Sequence, residues 1–144
     1  MNKVLEQTKM LVSDLMSEDV VAVHPEESLA TVRDLMLEHD IRHMPVVDQE
    51  NALVGLISQR DLLRNALIEQ TDTPDFIADS VLERLKAEEL MTTGVLNIPP
   101  TMDLREAAQI MLENKIGCLP VAEGDTLVGI LTESDFVRLM AAGN

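Results

Sequence analysis

Hydrophobic and polar positions between residues 19 and 68 predict a small unit of strands and helices. A valine-rich run is followed by apolar residues at helical spacing after Ser28, which is a good helix N-cap. Two near-continuous apolar runs with a polar turn between them then predict two buried strands. Helical spacing returns after Ser58, through Leu62, Leu63 and Ala66. The predicted elements are a strand at Asp19–Val23, a helix from Leu29 to about His39-Asp40, strands at His43–Val47 and Leu53–Ser58, and a helix at Gln59–Ile68.

The same pattern returns about 75 residues later, with an offset of about 74 after one deletion near Gly124. Identical residues stay in register, including Met36 with Met111 and Gly55 with Gly129. Chance similarity of two apolar segments would not keep glycine, proline, aspartate and arginine aligned, so the pattern indicates a tandem duplication. The second copy predicts a strand at Val95–Ile98, a helix at Asp103–Glu113, strands at Cys118–Ala122 and Leu127–Leu131, and a helix at Glu133–Ala141.

We therefore expect an α/β (α+β) fold made of two β-α-β-β-α repeats related by a pseudo-twofold axis. Each copy of about 50 residues buries little surface alone, so the two should pack together, with a ligand expected in the cleft between them. A linker helix with one narrow apolar edge is predicted at Asp75–Lys86, and a further helix at Lys3–Leu11. The expected domains are residues 1–10 as an N-terminal helical extension, 11–70 as the first repeat, 71–87 as the linker helix and 88–144 as the second repeat.

Charge and composition narrow the classes of partner. The net charge of −15 would repel nucleic-acid phosphates and anionic lipid head groups, so we expect neither nucleic acid nor a membrane as partner. No apolar run approaches the roughly 20 residues that cross a bilayer, and the charged start of the chain resembles no export signal. The single Cys118 fits a reducing compartment, so the expected location is cytoplasmic.

Common catalytic and metal-binding patterns are absent from the sequence. We find no G-x-S-x-G, C-x-x-C or H-E-x-x-H, and Ile130 stands where a phosphate-binding loop beginning at Gly124 would need lysine. His39 and His43 are four residues apart, but the predicted helix ends between them, so no metal site is expected. Cys118 is expected to fill space as a small buried hydrophobe. We expect no enzymatic activity and no obligatory cofactor.

One polar arrangement occurs in both copies at the predicted strand-to-helix junction. A hydroxyl precedes a carboxylate by three positions in Ser58 and Asp61, and again in Thr132 and Asp135. A helix N-terminus attracts an anion such as phosphate, and a carboxylate can accept hydrogen bonds from both hydroxyls of a ribose. A nucleoside phosphate would satisfy both groups.

Helix capping explains the same residues without a ligand. Ser58 and Thr132 are good N-caps, and a carboxylate at the third helical position stabilises the helix dipole. Because Asn, Ser or Glu would cap almost as well, the recurrence of one spacing favours binding modestly. Both interpretations stay open at this stage.

Together these segments resemble a pair of cystathionine beta-synthase (CBS) domains, also called a Bateman module. The resemblance is carried by Ile41–Val47 and Leu53–Leu62 in the first copy and by Ile116–Val121 and the segment ending at Asp135 in the second. It covers about residues 11–141, which leaves no catalytic or transporter domain in the sequence, so we expect a standalone module.

The resemblance implies a site for an adenosine ligand such as AMP, ADP, ATP or another adenosine derivative. It implies that Asp61 and Asp135 hold ribose hydroxyls and that Ser58 and Thr132 contact ribose or phosphate. Apolar walls around the adenine would come from Met44, Pro45, Val21, Leu119, Pro120 and Leu96.

The two copies differ in charge near this implied site. The first has Arg42, His43 and Arg60, which can meet phosphate oxygens, where the second has Gly117, Cys118 and Ser134. We therefore expect the Asp61 site to prefer a phosphorylated ligand, and the Asp135 site to bind more weakly, to take a neutral nucleoside or to stay empty. The alternative for Arg42 and Arg60 is ion pairing with some of the 26 acidic residues.

The leading hypothesis is a regulatory homodimer that senses an adenine nucleotide and changes a surface read by an unidentified protein partner. The alternative is a nucleotide-free scaffold or interaction module with the same fold.

Overall fold

The computed structural model describes residues 9–69 and 81–143 of the 144-residue chain. The first part contains a short helix, one long helix, a two-stranded hairpin and a second long helix, and the second part repeats this order. The elements are α1 (Val12–Leu15), α2 (Leu29–His39), β1 (His43–Val47), β2 (Leu53–Ser58), α3 (Gln59–Glu69), α4 (Ala87–Leu90), α5 (Leu104–Asn114), β3 (Cys118–Glu123), β4 (Thr126–Thr132) and α6 (Glu133–Ala142). Residues 81–84 are also helical.

Each hairpin is antiparallel and irregular at one equivalent place. In the first, β1 pairs with β2 from His43 opposite Ser58, and the register shifts between Val46 and Val47. In the second, β3 pairs with β4 from Cys118 opposite Thr132, and the register shifts between Val121 and Ala122. The duplication predicted from the sequence is therefore reproduced in the backbone.

A single isolated β-bridge stands in place of each of the strands predicted at Asp19–Val23 and Val95–Ile98. Val23 donates to the carbonyl of Pro45 at 3.0 Å, and Ile98 donates to the carbonyl of Pro120 at 3.1 Å. Extension of this parallel pairing toward the preceding residues would need an N–H from Pro45 or Pro120, and proline has none. The prediction of full strands was wrong for this reason.

The described residues group into two compact units. One contains Val21 to Val95, and the other contains the chain up to Val20 together with Leu96 onward. Equivalent residues build the two cores, with Leu29, Val32 and Met36 of α2 matched by Leu104, Ala107 and Met111 of α5. The sheet contributes Met44, Val46 and Ile57 to the first core and Leu119, Val121 and Leu131 to the second.

The first residues of each repeat pair with the hairpin of the other repeat. Ser17 pairs with Ile130, and the Met16 side chain lies against Gly129, where a Cβ would collide with it. In the other unit, Met91 lies against Gly55 in the same way. The two glycines are therefore required for close approach and not for a special backbone angle.

Some predicted features lie outside the described residues or fit them incompletely. The predicted helix at Lys3–Leu11 falls mainly on residues 1–8, and the first part of the predicted linker helix falls on residues 70–80; both stretches lie outside the description. Leu63, predicted on an apolar stripe, is 55% exposed, whereas Leu62 is buried. Within residues 9–69 and 81–143, no helix is long and apolar enough to cross a membrane.

Candidate functional site

The junction between β2 and α3 brings together four of the predicted polar residues. Ser58 ends β2, and its hydroxyl accepts a hydrogen bond from the Asp61 N–H at 3.0 Å. The Gln59 N–H donates to the carbonyl of Arg42 at 2.8 Å, and His43 lies opposite Ser58 in the hairpin. The start of α3 is thus bordered by two cationic or titratable residues, a hydroxyl and a carboxylate.

The equivalent junction before α6 is capped by the Asp135 carboxylate. Asp135 Oδ2 accepts the Thr132 N–H at 2.8 Å and the Thr132 hydroxyl at 3.2 Å. Asp135 Oδ1 accepts a hydrogen bond from Arg138 Nη1 at 3.2 Å. The Glu133 N–H donates to the carbonyl of Gly117 at 3.0 Å, as Gln59 does to Arg42. The Asp135 carboxylate therefore accepts hydrogen bonds from the residue that begins its own helix.

These hydrogen bonds show that both hydroxyl–carboxylate pairs cap their helices, as the capping interpretation predicted. A carboxylate that caps a helix can also bind a ligand if the cap leaves some of its hydrogen-bond acceptor positions unused. An ionised carboxylate offers about four lone-pair positions, and Asp135 uses three of them within its own unit. One position remains, so Asp135 can accept one further hydrogen bond without a change in the cap.

The charge of Asp135 also acts on Cys118. Burial, together with the smaller effect of the Asp135 carboxylate, raises the pKa of the Cys118 thiol from 9.0 to about 12. Cys118 is 4% exposed and lies on the strand position opposite Thr132. The thiol is therefore protonated, and Cys118 is a small buried side chain, as the sequence predicted.

The predicted apolar walls divide between the two faces of each hairpin. Met44 and Leu119 are 0% exposed and belong to the cores. Because side chains alternate along a strand, Pro45 and Pro120 lie on the opposite face, together with the junction hydroxyls. Pro45 and Pro120 therefore lie on the strand face that carries the junction hydroxyls, whereas Met44 and Leu119 face the cores. The alternation was visible in the sequence, but Met-Pro and Leu-Pro were treated as units.

The remaining predicted residues lie at the surface or at the edge of the core. Val21 is half-buried against the first core, whereas the equivalent Leu96 is 45% exposed. Arg42 and Arg60 are exposed, and within the described parts of the chain neither forms an ion pair. The ion pairs that the alternative interpretation expects for these two arginines are therefore not found among the described residues.

Sequence reasoning missed one charged group at the second junction. The Glu133 side chain lies over Gly117, where a Cβ would be only 2.5 Å from Glu133 Oε1. Gly117 had been compared with Arg42 as the loss of a cation. The structure shows that the same position also admits an anion, and the signal was the pairing of Gly117 with an acidic first helical residue.

Comparison with known proteins gives the family and the fold. The family model described as the CBS domain matches residues 12–67 and 87–142. The structure of AcuB from Vibrio cholerae is 36% identical with a TM-score of 0.79, covering 94% of this chain and 93% of that one. The CBS domain pair of protein MJ0100, solved with 5′-methylthioadenosine and S-adenosyl-L-methionine, is 26% identical with a TM-score of 0.77, covering 94% and 98%. CBSX2, solved with AMP, is 30% identical with a TM-score of 0.76, covering 92% and 96%.

Curated relatives are often longer than this chain. Protein MJ1225 of Methanocaldococcus jannaschii is 29% identical over 131 residues, which are 91% of this chain and 43% of that protein. The chain therefore spans less than half of this relative, and the similarity concerns the paired repeats alone.

Proposed function

Because the chain belongs to the CBS domain family, we propose that it is a regulatory module that binds an adenosine-containing nucleotide at the β2–α3 junction. Binding would change a surface that another protein reads. The observation that carries the proposal is the convergence of Arg42, His43, Ser58 and Asp61 on one helix start.

Each part of a nucleotide has a matching group in this arrangement. The Asp61 carboxylate would accept hydrogen bonds from the ribose hydroxyls, as the acidic residue of dinucleotide folds does. The start of α3 and the exposed Arg42 and Arg60 would meet the phosphate. In a chain of net charge −15, two exposed arginines without ion pairs in the described residues favour an anionic ligand over a neutral one.

The solved relatives support the adenosine part of the proposal. CBSX2 was solved with AMP, and the MJ0100 pair with 5′-methylthioadenosine and S-adenosyl-L-methionine. Adenosine is common to these ligands, while their 5′ substituents differ in charge. We therefore propose that the adenosine moiety is the shared feature and that local charge selects the substituent.

Regulation would follow from differential binding. A ligand at about 100 times its dissociation constant stabilises the state that it binds by about 2.7 kcal/mol, which suffices to change the dominant population of a two-state element. We propose a regulatory and not a catalytic role, because the groups at this helix start match the parts of a bound nucleotide, with a carboxylate for the ribose and cations for the phosphate.

We also propose a homodimer that forms through the last helix of each repeat. Leu63 of α3 and Val137 of α6 are equivalent residues, 55% and 67% exposed. Exposed apolar side chains at the same position of both copies favour a symmetric contact. Sedimentation should give twice the chain mass of 15.9 kDa, and a mass near 15.9 kDa at micromolar concentration would contradict the dimer.

Thermal melts with adenosine, AMP, ADP and ATP test the nucleotide proposal. We expect phosphorylated compounds to raise the unfolding midpoint of the wild type, and Asp61→Ala to remove most of that rise. Arg60→Ala should weaken AMP more than adenosine, whereas Arg105→Ala, which removes an exposed arginine on α5, should change neither. If no compound raises the midpoint at millimolar concentration, the alternative of a nucleotide-free interaction module is favoured instead.

A further inference from the structure

The two junctions form an internal comparison within one chain. Gln59 and Glu133 are equivalent first helical residues, and each donates its N–H to the residue that precedes a hairpin, Arg42 or Gly117. The residue after each of these helix starts is Arg60 or Ser134. The first junction therefore carries two positive charges, on Arg42 and Arg60, and Gln59 is neutral. The second carries one negative charge, on Glu133, because Gly117 and Ser134 are neutral. The backbone is the same at both sites, so the difference lies in the side chains.

Glu133 places its carboxylate against Gly117, which is the residue equivalent to Arg42 of the first copy. Its Oε1 would lie 2.5 Å from a Cβ at residue 117, so any larger residue there would displace the Glu133 carboxylate. Gly117 does not have the left-handed backbone angle that favours glycine, so its missing Cβ matters here because it leaves room for the Glu133 side chain in this position. The absence of a side chain at Gly117 thus allows the Glu133 carboxylate to lie against the backbone there.

The position of this carboxylate determines which anions can approach the helix. The partial positive charge of a helix start is strongest within its first turn, and Glu133 is the first residue of α6. Its negative charge offsets the partial positive charge of the helix start. Asp135, whose carboxylate accepts the Thr132 N–H, adds a second negative charge in the same turn. A ligand phosphate at this helix start would meet the carboxylates of Glu133 and Asp135, and the exposed Arg138 already pairs with Asp135.

We propose that Glu133 determines the ligand class of the second junction, restricting it to adenosine compounds whose 5′ substituent carries no negative charge. This inference rests on the proposed function. Asp135 keeps one lone-pair position, which one ribose hydroxyl can use. Phosphorylated compounds are left to the first junction.

Isothermal titration calorimetry in an Asp61→Ala background isolates the second junction. Asp61→Ala should bind adenosine more tightly than AMP. Adding Glu133→Gln, which copies Gln59, should tighten AMP at least about tenfold because a repulsive charge near the phosphate is removed. Adenosine affinity should change less than about twofold. Glu123→Gln in the same background removes an exposed carboxylate at the end of β3 and should alter neither affinity.

The reciprocal change tests the same residue position at the first junction. Gln59→Glu in the wild type should weaken AMP at least about fivefold and adenosine much less. If Glu133→Gln leaves AMP unchanged, or tightens adenosine equally, the role of Glu133 is refuted while the proposed function stands. If the wild type binds no adenosine compound, the proposed function fails, and this inference fails with it.

Discussion

Removal of the Asp135 carboxylate should measurably destabilise the unit that contains α6. Asp135→Ala deletes the acceptor for the Thr132 N–H at 2.8 Å and the partner of Arg138 at 3.2 Å. Loss of a helix cap costs about 1 kcal/mol, within a range of about 0.5–2. The Arg138 side chain is 74% exposed, so this ion pair adds less than about 1 kcal/mol. We expect the free energy of unfolding to fall by about 1–2 kcal/mol.

Urea unfolding followed by circular dichroism measures this loss. Asp135→Asn should be nearly neutral because the amide oxygen still accepts the Thr132 N–H, and Arg138→Ala should cost less than Asp135→Ala. Stability of Asp135→Ala within about 0.3 kcal/mol of wild type would refute the cap. A loss in Arg138→Ala as large as that in Asp135→Ala would show that the ion pair, and not the cap, holds the carboxylate.

Two further predictions follow from close packing and burial. Gly55→Ala should lower stability by about 1–3 kcal/mol because its Cβ would collide with the Met91 side chain, and Met91→Ala in the same chain should recover part of that loss; additive losses in the double variant would contradict the contact. Cys118 should resist iodoacetamide at pH 8 in the folded protein. Its protonated thiol contributes stability that is fully present below its ordinary pKa of 9.0 and is lost as the pH rises from about 9 to about 12. Cys118→Ala should therefore lose less stability than the wild type between these two pH values. Equal losses in the two proteins would contradict the raised pKa.

Much of the fold could be predicted because the duplicated pattern gives each element twice. Strands β1 and β2 begin and end where their apolar runs do, and Ser28 caps α2 as expected through its bond from the Thr31 N–H. The strand predicted before the first long helix did not form, because its pairing with β1 would need a backbone N–H from Pro45, which has none. This reason lies in the partner strand and not in the segment whose pattern made the prediction. Leu63 is exposed because it lies about 100° around α3 from the buried Leu62.

The site was predictable in its polar residues and less so in its apolar ones. Ser58 and Asp61 follow from their spacing at a strand end, and the structure brings them together. The core position of Met44 could not be predicted, because the side of a strand that a residue faces depends on which face the helices cover. Glu133 was missed because its contact with Gly117 joins residues 16 positions apart, and no local pattern encodes it.

Backbone amide shifts in nuclear magnetic resonance test the central claim most directly, since they report both binding and its location. Titration of the 15N-labelled protein with AMP should shift the amides of Arg60 and Asp61 and of His43, with saturation at submillimolar to millimolar concentration. Asp61→Ala should lose these shifts. Unchanged amides at the start of α3 in the presence of millimolar AMP, or shifts confined to other parts of the chain, would contradict a nucleotide site at this junction.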